Sequence, residues 1–539
     1  MNGADLLCST LLINKVEVCF SNPGTSEMHF VAALDRRPEM RCILGLAETV
    51  VTGAADGYGR MTGRPAATLL HLGPGLANGF SNLHNARRAG TPVLNIIGDH
   101  ASAHLGLDAP LTTDIDALAG ALCGWIGRAE SASVVGTRAA EAIAATRHGA
   151  LGRVATLILP ADSAWSDLPD GAMPVTAAPA APSVPRPENI RAAVSALRKG
   201  AHTLLLLGSD AMDARSASLA ARIAMATDAA LMSDGNSRRT AAGAGRVAMP
   251  RVPYEPAQAL QALASFDHVV LIGTVEPVSF FGYPGLPGRL LPEGCKVVTA
   301  ATREEDAAGA LAAIADELSI PSTLVPALSP HEPPPAPRGP IDAATFGAAV
   351  ARNLADGTVV VNESITNGGG FLSAGRTAAP HEVLSLTGGA IGIGIPLATG
   401  AAVACPDRKV VTLQADGSGM YSLQGLWTQA RERLDVVTII LSNRRYEILR
   451  DEWRKVGAGE TGVNASRMLD LDNPALDWVH LARGMGVDSL RVDTAEALDR
   501  ELAAAMKRPG PILIEAMIGG CAGSSGSGRS FPVGRPLPQ

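Results

Sequence analysis

The stretch from Val410 to Leu449, VVTLQADGSGMYSLQGLWTQARERLDVVTIILSNRRYEIL, reads as strand, glycine-rich turn, helix, strand and turn. Its first apolar run ends in Ala415-Asp416-Gly417-Ser418-Gly419, and a helix-length segment with Leu423, Leu426 and Trp427 follows. The second run, Val436 to Leu441, breaks at Ser442-Asn443-Arg444-Arg445. Strands joined through a helix are parallel, and ligands of open parallel sheets bind at the carboxyl edge. Asp416 and Asn443 each end a strand. Adjacent pairing would bring two side-chain oxygens together, as a hard divalent ion such as Mg2+ requires. The glycines let backbone N–H groups approach a phosphate, and the following helix adds its N-terminal dipole. A plain βαβ unit with an Asp and an Asn in its turns is the competing reading of this stretch alone.

Working outward, 539 residues leave room for about three domains. A hydrophobic content of 47% with only 4% aromatic residues suits a large α/β protein. The net charge of −7 argues against a nucleic-acid surface. No run of about 18 apolar residues occurs, so no membrane span is expected. The start, MNGADLLCSTLL, lacks a basic region and reads as an amphipathic helix, not a signal peptide. The seven cysteines are scattered and never form a CxxC pair. That usage fits a reducing cytoplasm and gives no support for structural zinc.

Residues 1–165 alternate strand-like and helix-like segments. Val16–Phe20 breaks at Ser21-Asn22-Pro23-Gly24-Thr25-Ser26-Glu27; Cys42–Leu46 precedes a helical run from Glu48 to Gly59. Ala66–His71 runs into Gly73-Pro74-Gly75, Val93–Ile97 into Gly98-Asp99-His100, and Val154–Leu159 follows later. A proline- and alanine-rich linker, Pro174 to Pro187, leads to a second α/β unit over 188–320. That unit has strands near Thr203–Leu207, His268–Ile272 and Lys296–Thr299 but no GxGxxG, so a scaffold role is expected. Pro321 to Pro340 is a second linker, and a third α/β domain over 341–518 holds the opening motif. The tail, 519–539, is expected to be flexible, with a lid as the alternative. The fold expected is three doubly wound parallel-sheet α/β domains.

Asp416-Gly417 followed at a distance by Asn443 resembles the diphosphate and Mg2+ motif of thiamine-diphosphate enzymes, with Ala415 where that family usually has its first Gly. Ser21 to Glu27 is similar to the opening loop of benzoylformate decarboxylase and acetolactate synthase. Glu48, in LGLAETVVTGAADGYGR, lies where these enzymes keep the glutamate that works the cofactor. The domain order also matches: pyrimidine-binding, middle, diphosphate-binding. The resemblance implies thiamine diphosphate and Mg2+ as cofactors, with Asp416, Asn443 and Arg445 as the metal set. It places Gly417, Ser418 and Tyr446 at the cofactor, with Asn362-Glu363-Ser364 after the strand Thr358–Val361 as a further contact loop. In Gly388-Gly389-Ala390-Ile391-Gly392 it aligns Ile391 with the bulky residue over which the cofactor bends, and puts Gly389 beside it. In this family the two cofactor domains come from different chains, which implies a homodimer or homotetramer. Some acetolactate synthases bind a structural FAD, but no residue pattern in this sequence asks for one.

The family's chemistry gives these residue types their purpose. Thiazolium C2 must lose a proton to become an ylid, and the cofactor then acts as an electron sink. A carboxylate at N1′ of the aminopyrimidine favours the imino form that takes the proton, the role implied for Glu48. After C–C cleavage the enamine is protonated to an aldehyde or attacks a second carbonyl to give a 2-hydroxy ketone. Benzoylformate decarboxylase has a proton-shuttling histidine in the loop matching His71, and Thr25 lies at its pocket serine. Its second histidine has no counterpart in Pro277 to Tyr283, although His100 and His104 could substitute from another side. Gly73-Pro74-Gly75 is closer to acetolactate synthase. The first expectation is therefore a 2-oxo acid decarboxylase or C–C lyase of benzoylformate decarboxylase type. The second is an acetolactate-synthase-like carboligase. A cofactor-binding homologue without turnover and a nicotinamide oxidoreductase follow at a distance.

Overall fold

Three β-sheets organise the chain in the computed structural model, which describes residues 1–519 apart from 148, 150, 151, 179–182 and 236. Beyond Gly519 the tail lies outside the described residues. The first domain supplies β1 Val18–Asn22, β2 Arg41–Leu44, β3 Ala66–Leu70, β4 Val93–Asp99, β5 Trp125–Arg128 and β6 Val154–Pro160. They form one parallel sheet in the order β2-β1-β3-β4-β6-β5. β3, β4 and β6 are buried along their whole length, which is why they read as unbroken apolar runs.

The middle domain contributes β7 Thr203–Leu207 and β8 Ala230–Ser233, after which β9, Thr240–Ala242, leaves for another sheet. With β10 His268–Ile272 and β11 Lys296–Ala301 the middle sheet runs β11-β10-β7-β8, again parallel. The third domain adds β12 Thr358–Glu363, β13 His381–Ser385, β14 Val410–Ala415, β15 Val436–Ser442, β16 Asp488–Val492 and β17 Ile512–Met517. Its order is β16-β17-β15-β14-β12-β13-β9, and only the visiting strand β9 is antiparallel.

Near the middle of each sheet the strand order reverses: between β1 and β3, between β7 and β10, and between β12 and β14. Such reversals open a crevice at the carboxyl ends. The first and third domains are locked by the helices Glu48–Thr62 and Gly394–Ala404, whose backbones nearly touch. A Cβ on Gly57 would lie 2.1 Å from the Leu397 carbonyl oxygen, so the close approach of the two helices leaves no room for a larger residue there. One core spans both, with Val51, Ala54 and Leu76 packed among Val361, Leu397 and Ala401. The fully buried Arg60 pairs with Asp56 at 2.6 Å and reaches the Ser385 carbonyl at 2.7 Å, fastening the same joint. Among the described residues no helix is long and apolar enough to cross a membrane.

Candidate active site

β14 ends in the buried Asp416, and β15 runs parallel beside it with Leu441 level with Ala415. The carboxylate ties the two strand ends together. Its Oδ1 accepts the Gly417 N–H at 2.8 Å and its Oδ2 accepts the Arg444 N–H at 2.7 Å. Arg444 is left-handed at φ 57°, a conformation that costs a non-glycine residue about 1–3 kcal/mol. The bend beside Asn443 is thus held in part by the bond to Asp416. Asn443 Oδ1 accepts the Arg445 N–H at 3.1 Å. Burial pushes the Asp416 carboxyl up to about 6, against the pull of the Arg444 and Gly417 N–H groups.

A carboxylate raised in this way gains from a cation, and Asn443 adds a neutral oxygen ligand one residue from the bridge. Among the described residues no cluster of three His, Cys, Asp or Glu side chains could hold a metal. A Mg2+ ion at Asp416 would complete its shell with main-chain carbonyls, water and phosphate oxygens, its usual mode. Arg445 can join that set only through its main chain. Its guanidinium is a cation paired with Glu447 at 2.5 Å, so only its main-chain carbonyl can serve a metal. Tyr446 covers the turn: a Cβ on Gly417 would lie 2.4 Å from its ring. The long helix expected after Asp416 is instead one turn, Asp416–Gly419, and a separate helix, Gly425–Arg431. The dipole at the turn shrinks accordingly.

Four residues expected at the cofactor, Ser418, Asn362, Glu363 and Ser364, have polar atoms engaged within the protein. Ser418 Oγ donates to the Ala415 carbonyl at 3.2 Å and accepts from Gln414 Nε2 at 2.6 Å. Asn362 Oδ1 accepts from the Ser364 N–H at 3.1 Å and the Ser364 hydroxyl at 2.6 Å, closing a turn on itself. Glu363 is buried, and its oxygens accept the Gly392 and Gly394 N–H groups, each at 2.5 Å. Burial pushes Glu363 up to about 7, opposed by those N–H groups and by Gln414. These residues frame the Ile391 loop and the Asp416 turn from behind.

In the first domain, Thr25–Glu27 follows β1 and His71 follows β3, at the reversal point where Asn22 is level with Leu70. His71 Nδ1 lies 2.8 Å from Glu27 Oε2 and 3.4 Å from Ser26 Oγ. Glu27 is 3% exposed and also accepts the Gly24 N–H at 2.7 Å and the Ser26 hydroxyl at 2.9 Å. A buried acid therefore orients an imidazole whose side chain stays 24% exposed. Sequence reasoning missed Ser26 and Glu27 as site residues. The available signal was an acid two places after Thr25, in a loop with no other charge.

Glu48 opens the helix Glu48–Thr62, is nearly buried, and accepts from Asn78 Nδ2 at 3.2 Å. Gly75 stands one helical turn after His71, its N–H 2.8 Å from the His71 carbonyl. A Cβ at Gly75 would lie 3.2 Å from Glu48 Oε1, so His71 and Glu48 flank the same turn of the helix Leu72–Ala89. Val50 and Val51 are buried as expected, whereas Leu46 is 45% exposed. Thr25 is exposed beside this group. His100 has a buried Nε2 with no hydrogen-bond partner among the described residues, its ring 5.4 Å from that of the exposed His104.

Glu48 and the Ile391 loop meet the helix Leu72–Ala89 at different points along its length. The helix Leu72–Ala89 touches Glu48 through Gly75 and Asn78, but touches the Ile391 loop through Asn85, whose Nδ2 donates to the Ala390 carbonyl at 2.7 Å. The helical rise from Gly75 to Asn85 is about 15 Å. Beside the Ile391 loop stand three exposed aromatics of the middle domain. Tyr254 and Phe280 have ring centroids 5.6 Å apart, and Phe280 and Phe281 4.9 Å. A Cβ on Gly389 would lie 2.6 Å from the Phe280 ring, and Lys455 lies over the Tyr254 and Tyr283 rings.

Comparison with known proteins agrees with this geometry. Residues 1–119 match the N-terminal TPP binding domain of thiamine pyrophosphate enzymes, and residues 371–516 match the C-terminal TPP binding domain. The chain is 48% identical, over 96% of its own length and 99% of the relative's, to a Mycobacterium tuberculosis protein named "Putative acetolactate synthase large subunit IlvX". It is 28% identical to benzoylformate decarboxylase of Pseudomonas aeruginosa, covering 92% of this chain and 95% of that one. The solved thiamine diphosphate-dependent 4-hydroxybenzoylformate decarboxylase of Rhodococcus jostii RHA1 superposes with a TM-score of 0.82 at 26% identity, covering 96% of this chain and 99% of that chain. The chain belongs to the thiamine diphosphate-dependent enzymes. Within them it is of the acetolactate synthase and benzoylformate decarboxylase type, with thiamine diphosphate as its cofactor.

Proposed function

We propose that the protein is a Mg2+-assisted 2-oxo acid decarboxylase that releases CO2 and an aldehyde, acting on a substrate with an aromatic or large apolar side chain. The observation that carries this reading is the Glu27–His71 pair, 2.8 Å apart, with His71 opening the helical turn that faces Glu48. When bound, thiamine diphosphate supplies the electron sink that lets the bond to the substrate carboxylate break. Asp416 and Asn443 would hold Mg2+, and the Gly417 turn would receive the diphosphate. Glu48 would hold a proton at its carboxylate toward the cofactor's pyrimidine ring, in a pocket whose burial keeps water from competing. Glu27 fixes His71 through Nδ1, leaving Nε2 to deliver the proton that takes the place of CO2. Thr25, beside them, offers a hydroxyl to the substrate carboxylate. The aromatic group at Phe280 and Phe281 supports the substrate class, since Phe280 stands against Gly389, two residues before Ile391. The family's arrangement, with the two cofactor domains drawn from different chains, supports a homodimer or homotetramer in which the partner completes each site.

A second reading has its own support. The relative at 48% identity carries an acetolactate synthase name, and the segment Pro277 to Tyr283 contains no histidine. In that case a second 2-oxo acid or aldehyde captures the carbon that His71 would protonate, and the product is a ketol. The test is to supply the purified protein, thiamine diphosphate and Mg2+ with aromatic and aliphatic 2-oxo acids, pyruvate included, with and without aldehyde acceptors. One aldehyde per CO2 from an aromatic acid is the expected result. Coupled ketol as the main product would hand the protein to the second reading.

A further inference from the structure

Glu363 ends β12 at the point where strand order in the third sheet reverses, one strand from Asp416. Its two oxygens serve different partners. Oε1 accepts from Gly392, the residue after Ile391, while Oε2 accepts from Gly394 and, at 3.1 Å, from Gln414 Nε2. The same Gln414 amide nitrogen donates at 2.6 Å to Ser418 Oγ, two residues beyond Asp416. Ser422 closes the far side, its hydroxyl donating to the Gly392 carbonyl at 2.6 Å. One buried carboxylate thus bridges the loop that presents Ile391 and the turn that follows Asp416.

We propose that Glu363 is a positioning residue that sets the spacing between Ile391 and the Asp416–Ser418 turn, so that both ends of thiamine diphosphate meet a preformed frame. This rests on the reading that thiamine diphosphate binds at that turn. A carboxylate suits the task because two N–H donors and an amide N–H need acceptors on both oxygens. Glutamine keeps the shape but aims an NH2 at one of those donors. A frame fixed before binding spares the cofactor the cost of ordering it. Neither Glu363 nor Gln414 needs to touch the cofactor for this to hold.

The test compares wild type, Glu363→Gln and Gln414→Leu as full-length protein with Mg2+. Calorimetric titration with thiamine diphosphate should show affinity falling about 10–100-fold in Glu363→Gln, the range seen when an outer support of a metal or cofactor ligand is lost. The near-ultraviolet circular dichroism of the bound aminopyrimidine should change with it. Inorganic diphosphate, which uses only the Asp416 turn, should bind wild type and variant within about twofold, a split that general loss of structure would not produce. Gln414→Leu cuts the bridge at its other end and should weaken thiamine diphosphate in the same sense. It carries the test if Glu363→Gln does not accumulate in folded form. Thiamine diphosphate binding and dichroism unchanged in the folded variants would overturn the inference. Failure of wild type itself to bind the cofactor would sink the functional reading instead.

Discussion

The reversal point of the first sheet and that of the middle sheet make an instructive pair. Both stand at the carboxyl ends of parallel strands, where the architecture offers a crevice. In the first, the loops after β1 and β3 bring Ser26, Glu27 and His71 together, and the imidazole keeps part of its surface open. In the middle sheet the loops after β7 and β10 close on each other. A Cβ on Gly208 would lie 2.3 Å from Asp234 Oδ2 and 2.8 Å from Thr274 Cβ, and Thr274 donates to Asp234 at 2.9 Å. Arg238, which could have faced an anion, is bonded to Asp210. The same topology thus yields a histidine-bearing edge in one domain and, in the other, an edge whose strand ends are bonded to one another. Side chains, not strand order, decide which.

The largest test of that contrast is Glu48→Gln. It should lower kcat by about 10²–10⁴-fold, the usual weight of a positioned acid or base, while thiamine diphosphate still binds. His71→Ala should come next, cutting aldehyde release about 100-fold and diverting product toward ketols when an aldehyde acceptor is present. If aldehyde output is unchanged, the Glu27–His71 pair has no part in proton delivery.

Glu363 provides a pH test of moderate size. Its folded pKa, about 7, lies above the ordinary 4.5. Its contribution to stability is therefore whole below about pH 4.5 and is lost as pH rises through about 7. The stability of cofactor-free wild type relative to Glu363→Gln should decline by about 3 kcal/mol across that interval. Denaturation curves at several pH values would measure it, and a flat difference would contradict the assigned burial cost. Phe281→Ala should raise KM for an aromatic substrate by roughly fivefold, in keeping with the loss of about 1 kcal/mol of ring contact, and leave pyruvate kinetics alone. The smallest effect belongs to the middle edge. FAD added to the purified protein should give no shift in flavin absorbance or fluorescence, and a bound flavin would show that the bonds among Asp210, Asp234, Arg238 and Thr274 leave room for it.

Much of this was legible in the sequence. β7 and β10 fall where their apolar runs predicted, and Asp416 and Asn443 stand at adjacent strand ends as the opening stretch required. Such features are local: an apolar run, a turn, a residue that ends a strand. What stayed hidden depends on contacts distant in the chain. The tie between His71 and Glu27 exists only because β3 pairs with β1. Glu363 read as a cofactor contact because its motif sits at a strand end, but the N–H groups of Gly392 and Gly394, brought round by the fold, take both its oxygens. β5, with its residues only partly buried at a sheet edge, lacks the apolar run that marks a central strand.

β9 has a consequence for how this chain can be divided. Its three residues leave the middle domain to pair with β13, with Thr240 opposite Val383 and Ala242 opposite His381, and Arg239 just before it is bonded to Glu382. The proline-rich linker invites a cut near Pro321, yet the piece downstream would carry β13 as a bare edge with unpaired backbone groups, a template for sticking to other chains. Modules that look interchangeable along the sequence are stitched in space. A chimera that exchanges the diphosphate-binding part between relatives would have to carry the segment around Arg239–Ala242 with it.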